Sequence, residues 1–268
     1  MIKKVQLFNN IKIAYLDNEV QSNISVVFIH GNSLSSQSFN KQLNNISLNK
    51  FRLLAIDLPG HGESDSVSNY SIPLFVNTLV DFCKSLKLKN FVLVAHSLGG
   101  HFTIQALPQL SHCIGIFIIG TSPIKLPLNI GEAYLPNELM PILFKKELTP
   151  PEIAIFTTNL ASNSNTDLIQ NSIKKTDAKF REHLALSIEN GDMLNEVSIL
   201  HDSPIPKVFV CGENDVLVNT TYIENLSIPM LWRQTLLLIK DALHTPQLDS
   251  PEKFNSILID FIESLKEQ

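Results

Sequence analysis

The sequence predicts an α/β protein in which a mainly parallel sheet carries helices on both of its faces. Three observations lead there. Six short runs, ISVVFI (24–29), FRLLAI (51–56), FVLVA (91–95), IGIFII (114–119), PKVFVCG (206–212) and TLLLI (235–239), are almost continuously apolar and rich in β-branched residues. That is the composition of strands buried on both faces, as in parallel sheets. Segments with apolar residues at helical spacing lie between several of these runs, the alternation of a helix-covered sheet. Each run also stops abruptly at a turn-like segment: HGNS, DLPGHG, HSLGG, GTSP, END and KDALH.

Along the chain, KVQLF (4–8) and KIAYL (12–16) alternate in polarity around NN and read as a hairpin. Residues 71–88 place Leu74, Phe75, Thr78, Leu79, Phe82 and Leu86 on one helical stripe. The segment after Pro251 does the same with Phe254, Ile257, Leu258, Phe261, Ile262 and Leu265. Between about Pro123 and Ser203 the strand signals vanish, and helical pieces are expected near 132–146, 150–161, 166–174 and 176–188. An insertion of that size after the sixth strand is expected to sit as a helical lid over the carboxyl edge of the sheet, where open α/β sheets bind ligands. The division is therefore a core over 1–122, a helical cap over 123–203 and the rest of the core over 204–268. Phe144, Phe156, Leu160 and Phe180 in the cap either face a pocket or pack the cap to itself.

The 268 residues, 44% apolar with a formal charge of -5, suit one large domain or one domain with an insertion. Mild acidity and the lack of a basic patch argue against nucleic acid and anionic membrane surfaces as partners. The first residues, MIKKVQLFNN, lack a signal-peptide pattern, and no apolar run approaches membrane-spanning length. Cys83, Cys113 and Cys211 are far apart and read as reduced thiols of a cytoplasmic protein. No histidine or cysteine spacing suggests a metal, and no phosphate-binding loop follows the glycine-containing turns, so no cofactor is expected. Monomer and homodimer both remain open.

The turns carry the chemistry. Ser97 stands between a strand and a helix-compatible segment in A-H-S-L-G, with Gly99 and Gly100 following. This is the setting of a nucleophile elbow, where a strained turn exposes the hydroxyl and small neighbours let helix and strand approach. A capping serine is the plainer alternative. A nucleophilic serine needs an oriented base, and His244 in DALHTP, after the last strand, is the best placed. His30 and His61 fit loop-holding roles, His96 the pocket or the elbow, and His101 a structural role on the following helix. Asp215 in GENDVLV lies just past a strand end and is the expected acid, with Glu213 and Asp241 as runners-up. The chain order Ser97, Asp215, His244 is that of one hydrolase architecture. The oxyanion donors are expected at the Leu98 and Asn32 amides, with Gly31 letting the main chain pass close. The Asn32 side chain either meets the substrate or stabilises its own turn.

HGNSLSSQSF, DLPGHGESD, AHSLGGH, GTSP, GENDVLV and LHTP together resemble the α/β-hydrolases over nearly the whole chain, and most closely the AidH-type N-acyl-homoserine lactonases. The resemblance implies an α/β-hydrolase fold with a helical cap, a metal-independent esterase or lactonase activity, and a small-molecule ester or lactone substrate. It places the nucleophile on Ser97, the acid on Asp215, the base on His244 and the oxyanion-loop asparagine on Asn32. The chain departs from the subgroup in having aspartate where a glutamate serves as acid. It also departs from the wider family in having Ala95 for the first elbow glycine and Leu243 for the glycine before the base. Carboxylesterases and carbon–carbon hydrolases share the same triad, and a non-catalytic ligand receptor is the reading from another class. Serine at position 97 speaks against dehalogenase or epoxide-hydrolase chemistry, which needs a carboxylate nucleophile.

Overall fold

In a computed structural model that describes residues 1–8 and 10–267, eight strands form one sheet. They are β1 (Ile2–Phe8), β2 (Ile11–Asp17), β3 (Ser25–Ile29), β4 (Arg52–Ile56), β5 (Phe91–His96), β6 (Cys113–Ile119), β7 (Lys207–Gly212) and β8 (Leu237–Ile239). The spatial order is β1-β2-β4-β3-β5-β6-β7-β8. β1 and β2 pair antiparallel at one edge, β2 is antiparallel to β4, and all later neighbours are parallel. The register sets Val27 of β3 between Leu54 and Leu93. Every residue of β3, β5 and β7 is buried, which is why these strands read as unbroken apolar runs.

The helices among the described residues are α1 (Asn40–Leu43), α2 (Ile72–Ser85), α3 (Leu98–Ala106), α4 (Ile130–Ala133), α5 (Leu139–Ile142), α6 (Pro150–Leu160), α7 (Thr166–Lys175), α8 (Lys179–Glu189), α9 (Glu196–Asp202), α10 (Thr220–Asn225), α11 (Pro246–Asp249) and α12 (Pro251–Ser264). Alternation along the strands sorts the core into two layers. Val27, Ile29, Leu54, Leu93, Ala95 and Ile118 meet Phe75, Leu79 and Phe82 of α2 and Phe102 of α3. Val26, Phe28, Leu53, Val92, Val94 and Phe117 meet Phe254, Leu258, Phe261 and Ile262 of α12 on the opposite face. Each such side chain contributes roughly 1.5–3 kcal/mol by leaving water. α2 starts where Ser71 accepts from the Leu74 amide, and α6 where Thr149 and Glu152 form a capping box ahead of Pro150 and Pro151.

α4 to α9 all lie between β6 and β7, after the sixth strand. The single helix expected near 132–146 is two short ones, because Pro136 forces the residue before it out of the helical region and Tyr134 instead bridges Val218. α9 was not anticipated, although Asn195 caps it by accepting from the Ser198 amide. Leu139, Ile142, Phe156, Leu160, Ile169 and Ile173 form a small core of their own against Leu34 and Leu217. Phe180 joins the main core against His61, Tyr70 and Phe75. Of the four aromatic and leucine positions singled out in this insert, only Phe144 lines the cavity described next. All three cysteines are buried free thiols, and no helix among the described residues is long and apolar enough to cross a membrane.

Candidate active site

Ser97 closes the end of β5 and opens α3 with φ 51° and ψ −121°, the positive-φ geometry expected of an elbow. Three bonds hold it there. The Ser97 amide donates to the Ile119 carbonyl at 2.7 Å, and the Ser97 carbonyl accepts from the Gly100 amide and the Thr121 hydroxyl, both at 2.8 Å. The small neighbours have a steric reason. A Cβ on Gly99 would lie 2.4 Å from the His30 carbonyl oxygen, and one on Gly31 would lie 2.8 Å from His96 Nδ1 and 3.0 Å from Ser97 Cβ. Ala95 is accommodated because it is an ordinary buried strand residue of β5, two positions ahead of Ser97.

His244 Nε2 lies 2.9 Å from Ser97 Oγ, and His244 Nδ1 lies 2.7 Å from Asp215 Oδ2. The other carboxylate oxygen of Asp215 accepts from the Leu217 amide at 2.9 Å and the Val218 amide at 3.3 Å. Burial pushes the Asp215 carboxyl up, but the charge and hydrogen bond of His244 and the two amides outweigh it and leave the group below its ordinary range. The runners-up stay apart from the histidine. Glu213 and Asp241 are both exposed, and the Asp241 amide donates to Glu213 at 3.4 Å.

The remaining histidines divide by their partners. His96 donates from Nε2 to the His244 carbonyl at 2.9 Å, so it supports the elbow and the base-bearing turn together. Burial, reinforced by the neighbouring His244, pushes its ionisation down to about 3, which keeps it neutral. His30 donates to the Gly31 carbonyl and accepts from the Leu58 amide, and His61 donates to the Pro59 carbonyl, so both hold loops as expected. His101 does more than pack: it lines the cavity with its ring between Glu196 and Tyr134.

That cavity is lined by Ser97, Leu98, Asn32 and His244 and is otherwise largely apolar, with Ile124, Met140, Phe144, Leu184, Ile188 and Leu217 among its walls. The Asn32 side chain is occupied at both ends. Its amide donates to the Leu143 carbonyl at 2.9 Å and its oxygen accepts from the Ser33 hydroxyl at 2.8 Å, so it ties its own loop to the insert. Arg181 on α8 extends the tie, donating to Ser33 Oγ at 3.0 Å and to the Lys145 and Lys146 carbonyls at 2.7 and 2.6 Å. Sequence reasoning passed over Arg181, Tyr134 and Glu196. Only Arg181 left a readable signal, a charge in line with Leu184 and Ile188 on an otherwise apolar helical stripe. Among the described residues no group of three or more His, Cys, Asp or Glu side chains could hold a metal ion.

Comparison with known proteins points the same way as the geometry. Residues 26–257 match the Alpha/beta hydrolase family. A Mycoplasma genitalium protein named esterase/lipase 2 is 22% identical over 263 residues, covering 90% of each chain. Non-heme chloroperoxidase CPO-A1 of Kitasatospora aureofaciens is 25% identical over 259 residues, covering 88% of this chain and 91% of that one. Among solved structures, N-acyl homoserine lactonase AidH bound to N-hexanoyl homoserine lactone superposes with a TM-score of 0.94 over 100% of this chain and 99% of its own, at 22% identity. At that identity the superposition shows the fold alone.

Proposed function

Since the chain belongs to the alpha/beta hydrolase family, we propose that it hydrolyses a small carboxylic ester or lactone through an acyl-enzyme on Ser97. The observation that carries this reading is the hydrogen-bonded series Ser97 Oγ, His244, Asp215, whose serine and histidine line a largely apolar cavity. Ser97 Oγ attacks the acyl carbon while His244 Nε2 takes its proton. Asp215 accepts from Nδ1, fixing the tautomer and stabilising the imidazolium. The backbone N–H groups of Leu98 and Asn32 receive the oxyanion, and the following collapse returns the proton from His244 to the departing alkoxide. A water then attacks the acyl-enzyme with His244 as base, releasing the acid and restoring Ser97. With a lactone the alcohol stays attached to the acyl group, and the product is the ring-opened hydroxy acid.

In this reading residues 123–203 form the cap over the site, and the apolar walls take the acyl chain. N-acyl-homoserine lactones are the first substrates to try, given the likeness to AidH. The test is hydrolysis in a pH-stat, pairing lactones of several chain lengths with simple esters of matching chains, for wild type and Ser97→Ala. Turnover that falls by about four orders of magnitude or more in the variant supports the reading. Lactone opening above ester turnover selects the lactonase form, and the reverse selects a carboxylesterase. Turnover that survives in Ser97→Ala contradicts it.

A further inference from the structure

The proposed base is aimed by its backbone, and part of what holds that backbone belongs to the insert. His244 is buried, and its ring has little room of its own. A Cβ added at Gly120 would lie 3.0 Å from its Cε1, and the His96 ring stands 5.0 Å away between centroids. Where Nε2 points is therefore decided by the main chain of residues 243–245, which is bound at three successive residues. The Leu243 amide donates to Asp249 Oδ2 at 3.0 Å. The His244 carbonyl accepts from His96 Nε2 at 2.9 Å. The Thr245 amide and hydroxyl both donate to the Leu160 carbonyl at 2.9 Å. Leu160 is the last residue of α6, where carbonyls lack partners within the helix, and Thr245 supplies two donors to one of them.

Asp249 is placed for this by the single turn of α11. Pro246 opens that turn, and the Leu248 and Asp249 amides donate to the Thr245 carbonyl at 2.9 and 3.0 Å, which folds residue 249 back beside residue 243. Its other carboxylate oxygen crosses to the insert. Oδ1 accepts from the Ser162 amide at 2.9 Å and from Asn165 Nδ2 at 3.2 Å, both in the corner between α6 and α7. Among the described residues none of its bonds goes to α12, which begins at Pro251, so capping that helix does not explain it. One side chain thus joins the residue before the base to the corner of the insert whose Leu160 holds the residue after it.

The partners call for a carboxylate. Three N–H donors face its two oxygens, and an ionised acceptor makes the stronger bonds. An asparagine of the same shape would turn its NH2 against one side, so that either Leu243 or the insert corner loses its acceptor.

We propose that Asp249 is a positioning residue for His244, through which the α6–α7 corner of the insert sets the aim of the base at Ser97. The insert then takes part in activating the nucleophile as well as in walling the cavity. A small shift of residues 243–245 slows attack without weakening binding, because reactive geometry tolerates little displacement. The proposal rests on reading Ser97 and His244 as nucleophile and base, and the experiment separates the two. Labelling by a small fluorophosphonate, which requires no known substrate, is followed in wild type, Asp249→Asn, Asn165→Ala, the double variant and Ser97→Ala, each well below its melting temperature. Asp249→Asn is expected to lower the limiting rate of labelling by about tenfold and to leave the half-saturating concentration within about twofold. Asn165→Ala, which removes one donor on the insert side, is expected to slow labelling by about threefold and to add nothing in the Asp249→Asn background. The downfield proton NMR signal of His244 Nδ1–H is expected to shift or broaden in Asp249→Asn, although neither His244 nor Asp215 is changed. A wild-type limiting rate with an unmoved proton signal in Asp249→Asn overturns the positioning role, and losses that simply add in the double variant overturn the link to the insert. Should Asp249→Asn fail to fold, labelling of Asn165→Ala at the wild-type rate overturns the proposal. All of these results leave the nucleophile in place. No labelling of wild type, or unchanged labelling of Ser97→Ala, overturns the nucleophile reading and the positioning role with it.

Discussion

A residue with a side chain held at φ 51° and ψ −121° is strained by about 1–3 kcal/mol, and at Ser97 the neighbouring structure enforces it. The Ile119 carbonyl, the Gly100 amide and Thr121 fix the backbone, while Gly31 and Gly99 leave the space the turn occupies. The strain is thus tied to aiming Oγ at His244. It also yields a prediction that activity assays cannot make. Ser97→Ala and Ser97→Gly both lose the nucleophile, but glycine alone relieves the backbone. Ser97→Gly is therefore expected to be more stable than Ser97→Ala by about 1 kcal/mol, read by denaturant titration of the two variants. Equal stabilities would mean the turn is not strained in solution.

At the scale of elements, the insert is fastened to the core at the point where the chemistry is proposed. Arg181 of α8 reaches Ser33 beside Asn32, and its remaining donors close on the Lys145 and Lys146 carbonyls. Asn32 in turn holds Leu143, whose neighbour Phe144 lines the cavity. Replacing Arg181 by Met strands buried acceptors, at roughly 1–3 kcal/mol for each one left unpaired. The expected outcome is a lower melting temperature together with faster amide exchange over residues 143–147, and unchanged exchange in β3 and β5. The core strands and α2 and α12 were legible in the sequence because their signals are local: apolar runs, helical stripes, a proline or a capping serine at the start. The positions proposed for the triad were readable as candidates for the same reason, each lying next to a strand end, and the structure brings their side chains within hydrogen-bond distance. What Arg181 and Glu196 hold was not, because their partners Ser33 and His101 lie 148 and 95 residues away. The helix over 132–146 failed where Pro136 and the bridge from Tyr134 to Val218 overrode the periodicity.

For the molecule as a whole, one sheet gathers the turns after β5, β7 and β8 at a single edge, and so brings together residues 97, 215 and 244. The insert between β6 and β7 contributes Phe144, Leu184 and Ile188 to the adjoining cavity. In the proposed reaction the sheet edge supplies the reacting groups, while the insert supplies part of the cavity wall. The proposed reaction depends on Ser97 being an activated nucleophile. The most direct measurement is intact-mass spectrometry after brief exposure to a fluorophosphonate, with peptide mapping, for wild type, Ser97→Ala and His244→Ala. One adduct is expected on Ser97 in wild type, none in Ser97→Ala, and labelling slowed by at least about a hundredfold in His244→Ala. No adduct in wild type, or the same adduct in Ser97→Ala, would contradict it.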